Sequence, residues 1–321
     1  MGTYKGIQGY TVQSLASDPG ASADTEGQVW FNSASNVWKV VAYDSGSWSA
    51  GGNLNTARAQ CATGATGSTP TAALCFGGPG PVDTGNDICE EYNGTAWTEV
   101  GDLNTGRPGM GGNGTTAAAL GMGGYQNTTK TEIWNGTSWT EGNASNDNHY
   151  PPCMAGTTTA GLIYGGGPSP SGQTEEFNGT TWAEGNSMLY NATEFGGNGS
   201  QTSALGCGGE PGALHTANTY DGTSWSSITS LTIGRTSPYV FGANDSSVIC
   251  ASGKDGSVVN NLESWDGTAW TEVADNTTAR YDGGFGGTSS SGIMFAGGAP
   301  ANSDATEIWT TGYAVQTITT D

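Results

Sequence analysis

The sequence predicts an all-β fold, a six-bladed β-propeller preceded by a small N-terminal β arm. Two observations lead to this prediction. A segment that contains tryptophan recurs at intervals of 42 to 49 residues, which is the period of propeller blades. Within each repeat, apolar and polar residues alternate over four to seven positions and no 3.6-residue period is sustained, so the elements are strands. Four strands in each of six repeats describe a six-bladed β-propeller.

Each repeat carries the same series of local signals. An apolar run ends in a glycine pair, as in AALCFGG, and a variable loop leads to a Glu two residues before an aromatic residue. Asn-Gly or Asp-Gly follows, as in EIWNGTSWTEG, and predicts a type I′ hairpin because both central residues of that turn need positive φ. The tryptophans that come next are Trp48, Trp97, Trp139, Trp182, Trp225 and Trp270. Because the Glu recurs in nearly every repeat, it is interpreted as part of the fold and not as a catalytic acid.

The glycine pair, the aromatic residue before the turn and the Trp after it resemble the kelch repeat, in six copies over about residues 51–319. Two departures are local. Ser252 replaces a glycine of one pair, and the last copy reads WTTGYAV without a Trp. The resemblance implies a propeller and no particular reaction, since kelch folds serve both enzymes and binding proteins.

The missing last Trp predicts how the ring closes. Trp48 stands ten residues before Arg58, which is the spacing that every later Trp has to the start of the next repeat. We therefore expect strand 47–50 to complete the last blade of a propeller domain of residues 46–321. Residues 1–45 are expected to form an attachment arm, in which the segment 27–41 (GQVWFNSASNVWKVV) predicts a β-hairpin of its own.

The composition argues against several classes of function. The net charge of −21 comes from 29 acidic and 8 basic residues, and such a surface repels nucleic acid and anionic membranes. No apolar run reaches 18 residues, and the N-terminus lacks the charged-then-apolar layout of a signal peptide. We therefore expect no nucleic-acid binding and no membrane insertion.

The residues that could carry chemistry form no recognisable catalytic or metal-binding motif. The six cysteines are predicted to be buried thiols, and Cys75 and Cys89 are the one pair that neighbouring strands could bring together. The two histidines, His149 and His215, lack metal-ligand spacing, so neither a metal nor a cofactor is expected. No catalytic residue is assigned, although a carboxylate pair for glycoside hydrolysis stays open.

The arginines give the sharpest signal outside the scaffold. All four stand ten residues after the Trp of a repeat, and His149 and Ala192 occupy this position in the other two repeats. In propellers this link leads to the innermost strand and opens at one mouth of the central channel. One interpretation is a ring of cations that binds an acidic ligand or a glycan, since Arg binds carboxylates in bidentate fashion. The other is that each Arg bonds backbone carbonyls or a carboxylate in a neighbouring blade. The candidate ligand-binding residues are Arg58, Arg107, His149, Arg235 and Arg280.

The opening MGTYKGIQGYTVQSL, the GQVWFNS hairpin and the NGTSW-type repeats resemble virion surface proteins of tailed marine bacteriophages, in which kelch-like propellers sit on fibres or capsid decorations. The resemblance implies a non-enzymatic virion structural protein, assembled in the host cytoplasm and displayed on the particle surface for host attachment. Its partners would be other virion proteins, bound through residues 1–45, a host surface glycan or acidic ligand, and further copies of itself in a symmetric homo-oligomer.

Two alternative functions stay open at this point. One is a carbohydrate-active enzyme, which a pair of buried carboxylates with perturbed pKa values at one channel mouth, absent from the other blades, would favour. The other is an extracellular bacterial adhesin. For a binding protein, the variable loops 80–87 and 168–173 are expected to form the adaptable contact surface.

Overall fold

The computed structural model describes residues 13–19, 28–63, 69–79, 86–126, 129–167, 169–298 and 301–318, with the backbone alone for residues 42–45 and 313–316. Within these residues the chain is all-β, and no helix is present that could span a membrane. The predicted contact loops 80–87 and 168–173 lie partly outside the described residues, as does the sequence opening 1–15.

The strands are short, mostly of three to five residues, apart from two long ones. In chain order they are β1 (Gln13–Leu15), β2 (Val29–Asn32), β3 (Val37–Ala50), β4 (Ala62–Thr63), β5 (Ala73–Phe76), β6 (Cys89–Tyr92), β7 (Trp97–Glu99), β8 (Gly111–Gly114), β9 (Ala119–Met122), β10 (Thr131–Trp134), β11 (Trp139–Glu141), β12 (Cys153–Gly156), β13 (Gly161–Tyr164), β14 (Thr174–Phe177), β15 (Trp182–Glu184), β16 (Gly196–Ser200), β17 (Ser203–Cys207), β18 (Ala217–Tyr220), β19 (Trp225–Ser227), β20 (Tyr239–Asn244), β21 (Ser247–Ala251), β22 (Leu262–Trp265), β23 (Trp270–Val273), β24 (Gly284–Thr288), β25 (Ser291–Phe295) and β26 (Thr306–Thr317).

Repeated four-stranded antiparallel sheets make up most of the described chain. Five sheets take their strands in sequence order, from β4-β5-β6-β7 to β20-β21-β22-β23, and a further sheet has the order β1-β2-β3-β26-β25-β24. The first strands of successive sheets contact one another, from β4 through β8, β12, β16 and β20 to β24. This architecture is that of a β-propeller, and the all-β prediction is confirmed.

The chain divides into two compact units. The first contains the described residues up to Ser47 and those from Thr311, and the second is Trp48–Thr310. In the first unit β2 pairs antiparallel with β3, with Phe31 opposite Trp38, so the predicted hairpin is confirmed. Strand β1 pairs with β2 in parallel. The predicted strand 47–50 is the last part of β3, which runs from Val37 without interruption.

The core of the second unit consists of layers between neighbouring sheets, and the tryptophan after each turn connects them. In the third sheet the rings of Phe177 and Trp182 lie 4.9 Å apart between centroids. The indole N–H of Trp182 donates to the hydroxyl of Thr131 in the preceding sheet, at 3.0 Å. Both rings belong to a buried cluster that includes Leu120 of that preceding sheet. The two aromatic residues of a repeat therefore pack against each other and against the sheet before them.

The hairpin turns differ from the predicted type I′. In the first repeat the N–H of Asn93 donates to the carbonyl of Ala96, so Gly94 and Thr95 are the central residues. Gly94 has a φ of +93°, and Thr95 is not a residue with positive φ. These are the φ signs of a type II′ turn. Asn93 is the residue before the central pair. Its Oδ1 accepts the N–H groups of Thr95 and Ala96, each at 3.0 Å, and so stabilises the turn.

All six cysteines are free thiols and buried, which confirms that prediction. The sequence left open whether Cys75 and Cys89 are bonded, and although β5 and β6 are neighbouring strands, the two thiols are free. Cys75 lies opposite Glu90 and Cys89 opposite Phe76, so the two thiols point to opposite faces of the sheet because side chains alternate along a strand. Cys75 lies instead in a buried cluster that also contains Cys61.

Candidate functional site

The five candidate residues from the sequence are the basic members of buried pairs. Each contacts a glutamate on the third strand of its own sheet. The pairs are Arg58 with Glu90, Arg107 with Glu132 at 2.7 Å, His149 with Glu175 at 3.2 Å, Arg235 with Glu263 at 2.8 Å, and Arg280 with Glu307. No more than 4% of any of the five cationic side chains is exposed. The glutamates are the recurring ones that the sequence marks two residues before an aromatic residue.

The second repeat shows how completely such a pair is bonded. The guanidinium of Arg107 donates to Glu132 and also to the carbonyl groups of Gly123, at 2.6 Å, and Thr105, at 2.8 Å. The carboxylate of Glu132 accepts the backbone N–H of Asn104 at 2.7 Å and its side-chain amide at 3.0 Å. A buried ion pair is tolerated when its remaining donors and acceptors are bonded in this way. The pair fixes the link before the first strand to the third strand of the same sheet.

The fourth repeat lacks both members of the pair. Ala192 stands where the other repeats have a cation, and Asn218 stands where they have glutamate. The Oδ1 of Asn218 still accepts a backbone N–H from the link, that of Leu189, at 3.1 Å. Because a buried charge without its partner is strongly destabilising, the two positions change together. The sequence shows that both exceptional residues, Ala192 and Asn218, fall in one repeat. That the two positions form a pair becomes evident only from the contacts in the structure.

The burial of the pairs favours the scaffold interpretation of these residues. In this conformation a ligand cannot reach the guanidinium groups, because they are covered and bonded to protein groups. The sequence interpretation placed the carboxylate partner in a neighbouring blade, but it lies in the same sheet. The reason is that the link that carries the basic residue leads directly into that sheet. His215 is exposed, and its Nδ1 lies 2.9 Å from the carbonyl oxygen of Leu231.

A small cavity of about 140 Å³, partly open to solvent, lies beside the first strands of the sheets. It is lined by residues of those strands and of the links just before them. Its ionisable and polar side chains include Gln60, Tyr150, Glu194, Ser237 and Asp282. Pro152, Met154 and Phe195 are among its apolar side chains. A concave site in which apolar side chains surround a few convergent polar groups is a common form of a ligand site.

The link residues around this cavity form a series that we call the left-handed belt. They stand two positions after the basic residue of a repeat, or after Ala192 in the fourth repeat, and they are Gln60, Gly109, Pro151, Glu194, Ser237 and Asp282. All except Pro151 have φ between +48° and +66°. Non-glycine residues avoid this region, at a cost of about 1–2 kcal/mol each, so surrounding contacts must hold them there.

Backbone hydrogen bonds between successive sheets hold the belt. The N–H of Gly109 donates to the carbonyl of Gln60 at 2.9 Å, and that of Gln60 donates to Asp282 at 2.5 Å. The N–H of Asp282 donates to Ser237 at 3.4 Å, and that of Ser237 donates to Glu194 at 2.5 Å. Pro151 has no N–H and a φ fixed near −65°, so it can neither donate this bond nor adopt the conformation. The belt is therefore interrupted at the third repeat.

Two carboxylates of the belt have raised pKa values. Burial raises the pKa of Glu194, and the nearby charge of Asp282 adds to it. Burial likewise raises the pKa of Asp282, while Ser237 and Lys254 act in the opposite direction. The hydroxyl of Ser237 donates to Glu194 at 3.3 Å. The ammonium of Lys254 lies 3.5 Å from the centre of the Tyr281 ring. The other belt positions carry no carboxylate, so Glu194 and Asp282 are specific to their two repeats and are not part of the repeated pattern.

Among the described residues, no group of three or more His, Cys, Asp and Glu side chains could hold a metal ion. The chain matches no protein-family model, and no curated protein is significantly similar to it.

Proposed function

We propose that the protein is a non-enzymatic structural protein of a tailed-bacteriophage virion, which displays a six-bladed β-propeller on the particle surface. One observation carries the binding and display role. The repeated charged residues are buried in scaffold pairs, whereas the equivalent positions around the cavity carry a different residue in every repeat. A regular scaffold that presents an irregular site is typical of binding proteins. The virion origin is supported by the resemblance of the sequence to phage surface proteins.

The six-bladed ring is supported by the contacts of the first strands. Each of these strands contacts the next in sequence order, and β24 contacts β4, so the series returns to its start. The indole N–H of Trp97 in the first sheet donates to the hydroxyl of Thr306 at 3.0 Å, just as Trp182 donates to Thr131. Thr306 belongs to β26, so the first and last repeats contact each other as neighbours do. The kelch-like glycine pairs and turns fit the same ring.

Trp48 supports closure of the last blade by strand 47–50. Its ring lies 5.2 Å from that of Trp309, as the ring of Trp270 lies 5.4 Å from that of Trp265. Its indole N–H donates to the carbonyl of Ala274 at 3.2 Å. Trp270 makes the corresponding bond, to the residue four positions after the preceding Trp. The last repeat has no Trp after its turn, and Trp48 makes the contacts that such a Trp makes in the other repeats.

Residues 1–45 are proposed to join the protein to other virion proteins. The side chains of Val29 and Trp38 are 46% and 44% exposed, and Phe31 lies opposite Trp38 on the same face of the hairpin. Apolar side chains grouped in this way are typical of surfaces that bind another protein. The ligand of the second unit, a host surface glycan or another exposed molecule, is assigned to the cavity with Glu194 and Asp282.

Mass spectrometry of purified particles tests this proposal. We expect the protein in wild-type particles at a stoichiometry that is a multiple of a particle symmetry, with low-resolution density locating it on the head or the tail. A Trp38→Ser variant should be folded but reduced in particles, with Trp270→Phe as a matched aromatic control outside the arm. Absence of the wild-type protein from particles would contradict the virion role.

A second function, a carbohydrate-active enzyme, is favoured by the carboxylate pair at the cavity. Glycoside hydrolysis uses one carboxyl that holds a proton and one carboxylate, and Glu194 and Asp282 have raised pKa values that stand apart from the other belt positions. The test is release of reducing sugar from host surface polysaccharide. Activity that is lost in both Glu194→Gln and Asp282→Asn, but kept in Glu184→Gln, would replace the non-enzymatic proposal. Binding without turnover would support it.

A further inference from the structure

The charged side chains that line the cavity are of one sign. They are Glu194 and Asp282, and none of the lining residues that the structure describes is basic. The basic residues of the buried pairs are covered and bonded to protein groups. The net charge of −21 adds a negative field around the whole chain. The cavity therefore attracts a cation and repels an acidic ligand.

The two carboxylates stand on either side of Ser237 in the left-handed belt. The N–H of Asp282 donates to the carbonyl of Ser237 at 3.4 Å, and the N–H of Ser237 donates to that of Glu194 at 2.5 Å. Both acidic side chains are half-buried. Burial raises the pKa of Glu194, and the charge of Asp282 raises it further. Two partly desolvated charges of the same sign repel each other, and a bound cation offsets that repulsion.

Lys254 acts on both carboxylates but is not part of the lining. Its charge opposes the rise in the pKa of Glu194 and of Asp282. Its ammonium lies 3.5 Å from the centre of the Tyr281 ring. Glu210 adds a further negative charge that acts on Glu194. One ammonium group among three carboxylates leaves the surroundings of the cavity negative.

Aromatic side chains form part of the cavity wall. Tyr150, Phe195 and Phe285 line it. The Tyr150 ring meets the ring of Tyr125 edge to face, with 5.6 Å between the centroids. It also packs against Gly109, where a Cβ would overlap the ring. The face of an aromatic ring attracts a cation, and the attraction is strongest where water is excluded.

The aromatic wall and the carboxylates belong to one site. Burial raises the pKa of Tyr150, and the charges of Asp282 and Glu194 are among the causes that raise it further. Carboxylates beside aromatic rings suit an ammonium group, because the carboxylates pair with its charge and the rings cover its alkyl substituents. The volume of about 140 Å³ admits a group of about the size of benzene, which a cavity of about 150 Å³ binds.

We propose that the cavity binds an ammonium head group of a host-surface molecule, with Glu194 and Asp282 as its counter-ions and the Tyr150 ring against its alkyl substituents. The inference rests on the proposed function only in that the ligand site is this cavity. It specifies the charge and the size of the bound group, which belongs to a choline head group or to an amino sugar. The arginine positions in the sequence had suggested an acidic ligand, and the ligand proposed here has the opposite charge.

Isothermal titration calorimetry of the full-length protein at about pH 7 tests this inference with two matched pairs of probes. Choline is compared with 3,3-dimethylbutan-1-ol, which has the same shape without the charge, and glucosamine is compared with glucose. We expect choline or glucosamine to bind with a Kd of about 1 mM or lower, and its neutral partner to bind at least about tenfold more weakly. The cation that binds more tightly identifies the source of the head group. Equal affinities within both pairs, or no binding of either cation, would overturn the inference.

Three variants test the roles of the lining residues, and thermal unfolding verifies that each is folded. Glu194→Gln and Asp282→Asn should each weaken binding of the preferred cation about tenfold, and Asn tolerates the left-handed backbone at position 282. Tyr150→Leu, which removes the aromatic face but keeps an apolar side chain, should also weaken it. Glu184→Gln, at an exposed position outside the lining, is the matched control and should leave the affinity unchanged.

Unchanged affinity in both carboxylate variants would overturn the assignment of the counter-ions. The titration of the wild-type protein does not depend on how the variants fold, so it decides the charge of the ligand by itself. A negative result there leaves the virion role intact, because the composition of purified particles is measured separately.

Discussion

At the scale of single residues, the cation and the glutamate of a repeat behave as one unit. Arg235 donates to Glu263 and to the carbonyl groups of Ser252 and Asn261, so every charge in the pair is bonded although both side chains are buried. In the fourth repeat both charges are replaced by neutral residues, and the strand arrangement is unchanged. Both charges of the pair can therefore be replaced together, but removing only one is destabilising, because it leaves a buried charge without a partner.

The Arg235 pair gives a test of this coupling. Arg235→Ala should lower the free energy of unfolding by about 3–5 kcal/mol, because it leaves the carboxylate of Glu263 buried without a partner. The double variant Arg235→Ala with Glu263→Asn reproduces the fourth repeat and should recover part of that loss. Chemical denaturation of both variants, with Glu263→Asn alone to complete the cycle, measures the coupling. Additive losses in the double variant would show that the two positions are independent.

At the scale of the element, the hairpin turn depends on the asparagine side chain as much as on the glycine. The Oδ1 of Asn93 accepts two N–H groups of the turn, and Asp221 and Asp266 accept the corresponding pairs in the fourth and fifth repeats. Gly94 supplies the positive φ. Asn and Asp are interchangeable here because both offer the same acceptor oxygen, which explains why the repeats use either residue.

Substitutions in the first turn separate these two contributions. Gly94→Ala should lower the free energy of unfolding by about 1–2 kcal/mol, because its φ is +93° and a Cβ would stand 3.2 Å from the Cα of Thr71. Asn93→Asp should leave stability unchanged, and Asn93→Ala should lower it by about 1 kcal/mol through the lost acceptor. Thermal unfolding of the three variants measures this. A destabilising Asn93→Asp would show that the side-chain amide is needed.

At the scale of the whole molecule, the proposed closure concerns a Trp that lies far from the last repeat in sequence. Trp48 contacts Trp309 and also Phe241, at 6.4 Å between ring centroids. A ring of repeats has no free end to fray if its first strand completes its last sheet. The Trp that the last repeat lacks is then supplied by the segment before the first repeat.

Closure by Trp48 makes a quantitative prediction. Trp48→Ala should destabilise the second unit by about 3–5 kcal/mol, as Trp270→Ala should, because each removes a large aromatic side chain from a layer between sheets. Trp38→Ala, at an exposed position of the first unit, is the control and should have little effect on the same transition. Differential scanning calorimetry distinguishes these outcomes. A Trp48→Ala variant as stable as the Trp38→Ala control would contradict closure.

Much of this architecture could be predicted from the sequence, because it is repeated. The spacing of the tryptophans gives the strands and the sheet period, and the recurrence of the glutamate marks it as structural. The type of turn at Asn93 could not be predicted, since Asn-Gly serves two turn types that differ in which residue is central. The sheet faces on which the Cys75 and Cys89 side chains lie could not be predicted either, because the variable loop between their strands leaves the pairing register open.

The sequence by itself determined the repeat: where each strand starts, which residues pack between sheets and which position carries the cation. Only the tertiary structure decided what that cation does, because its partner is a glutamate 25 to 32 residues away and the intervening loop varies in length. It also decided that the residues beside the cavity are the non-repeated ones, two positions further on. Local patterns specify a strand and its faces, whereas the meeting of two links depends on the register and closure of all the sheets together.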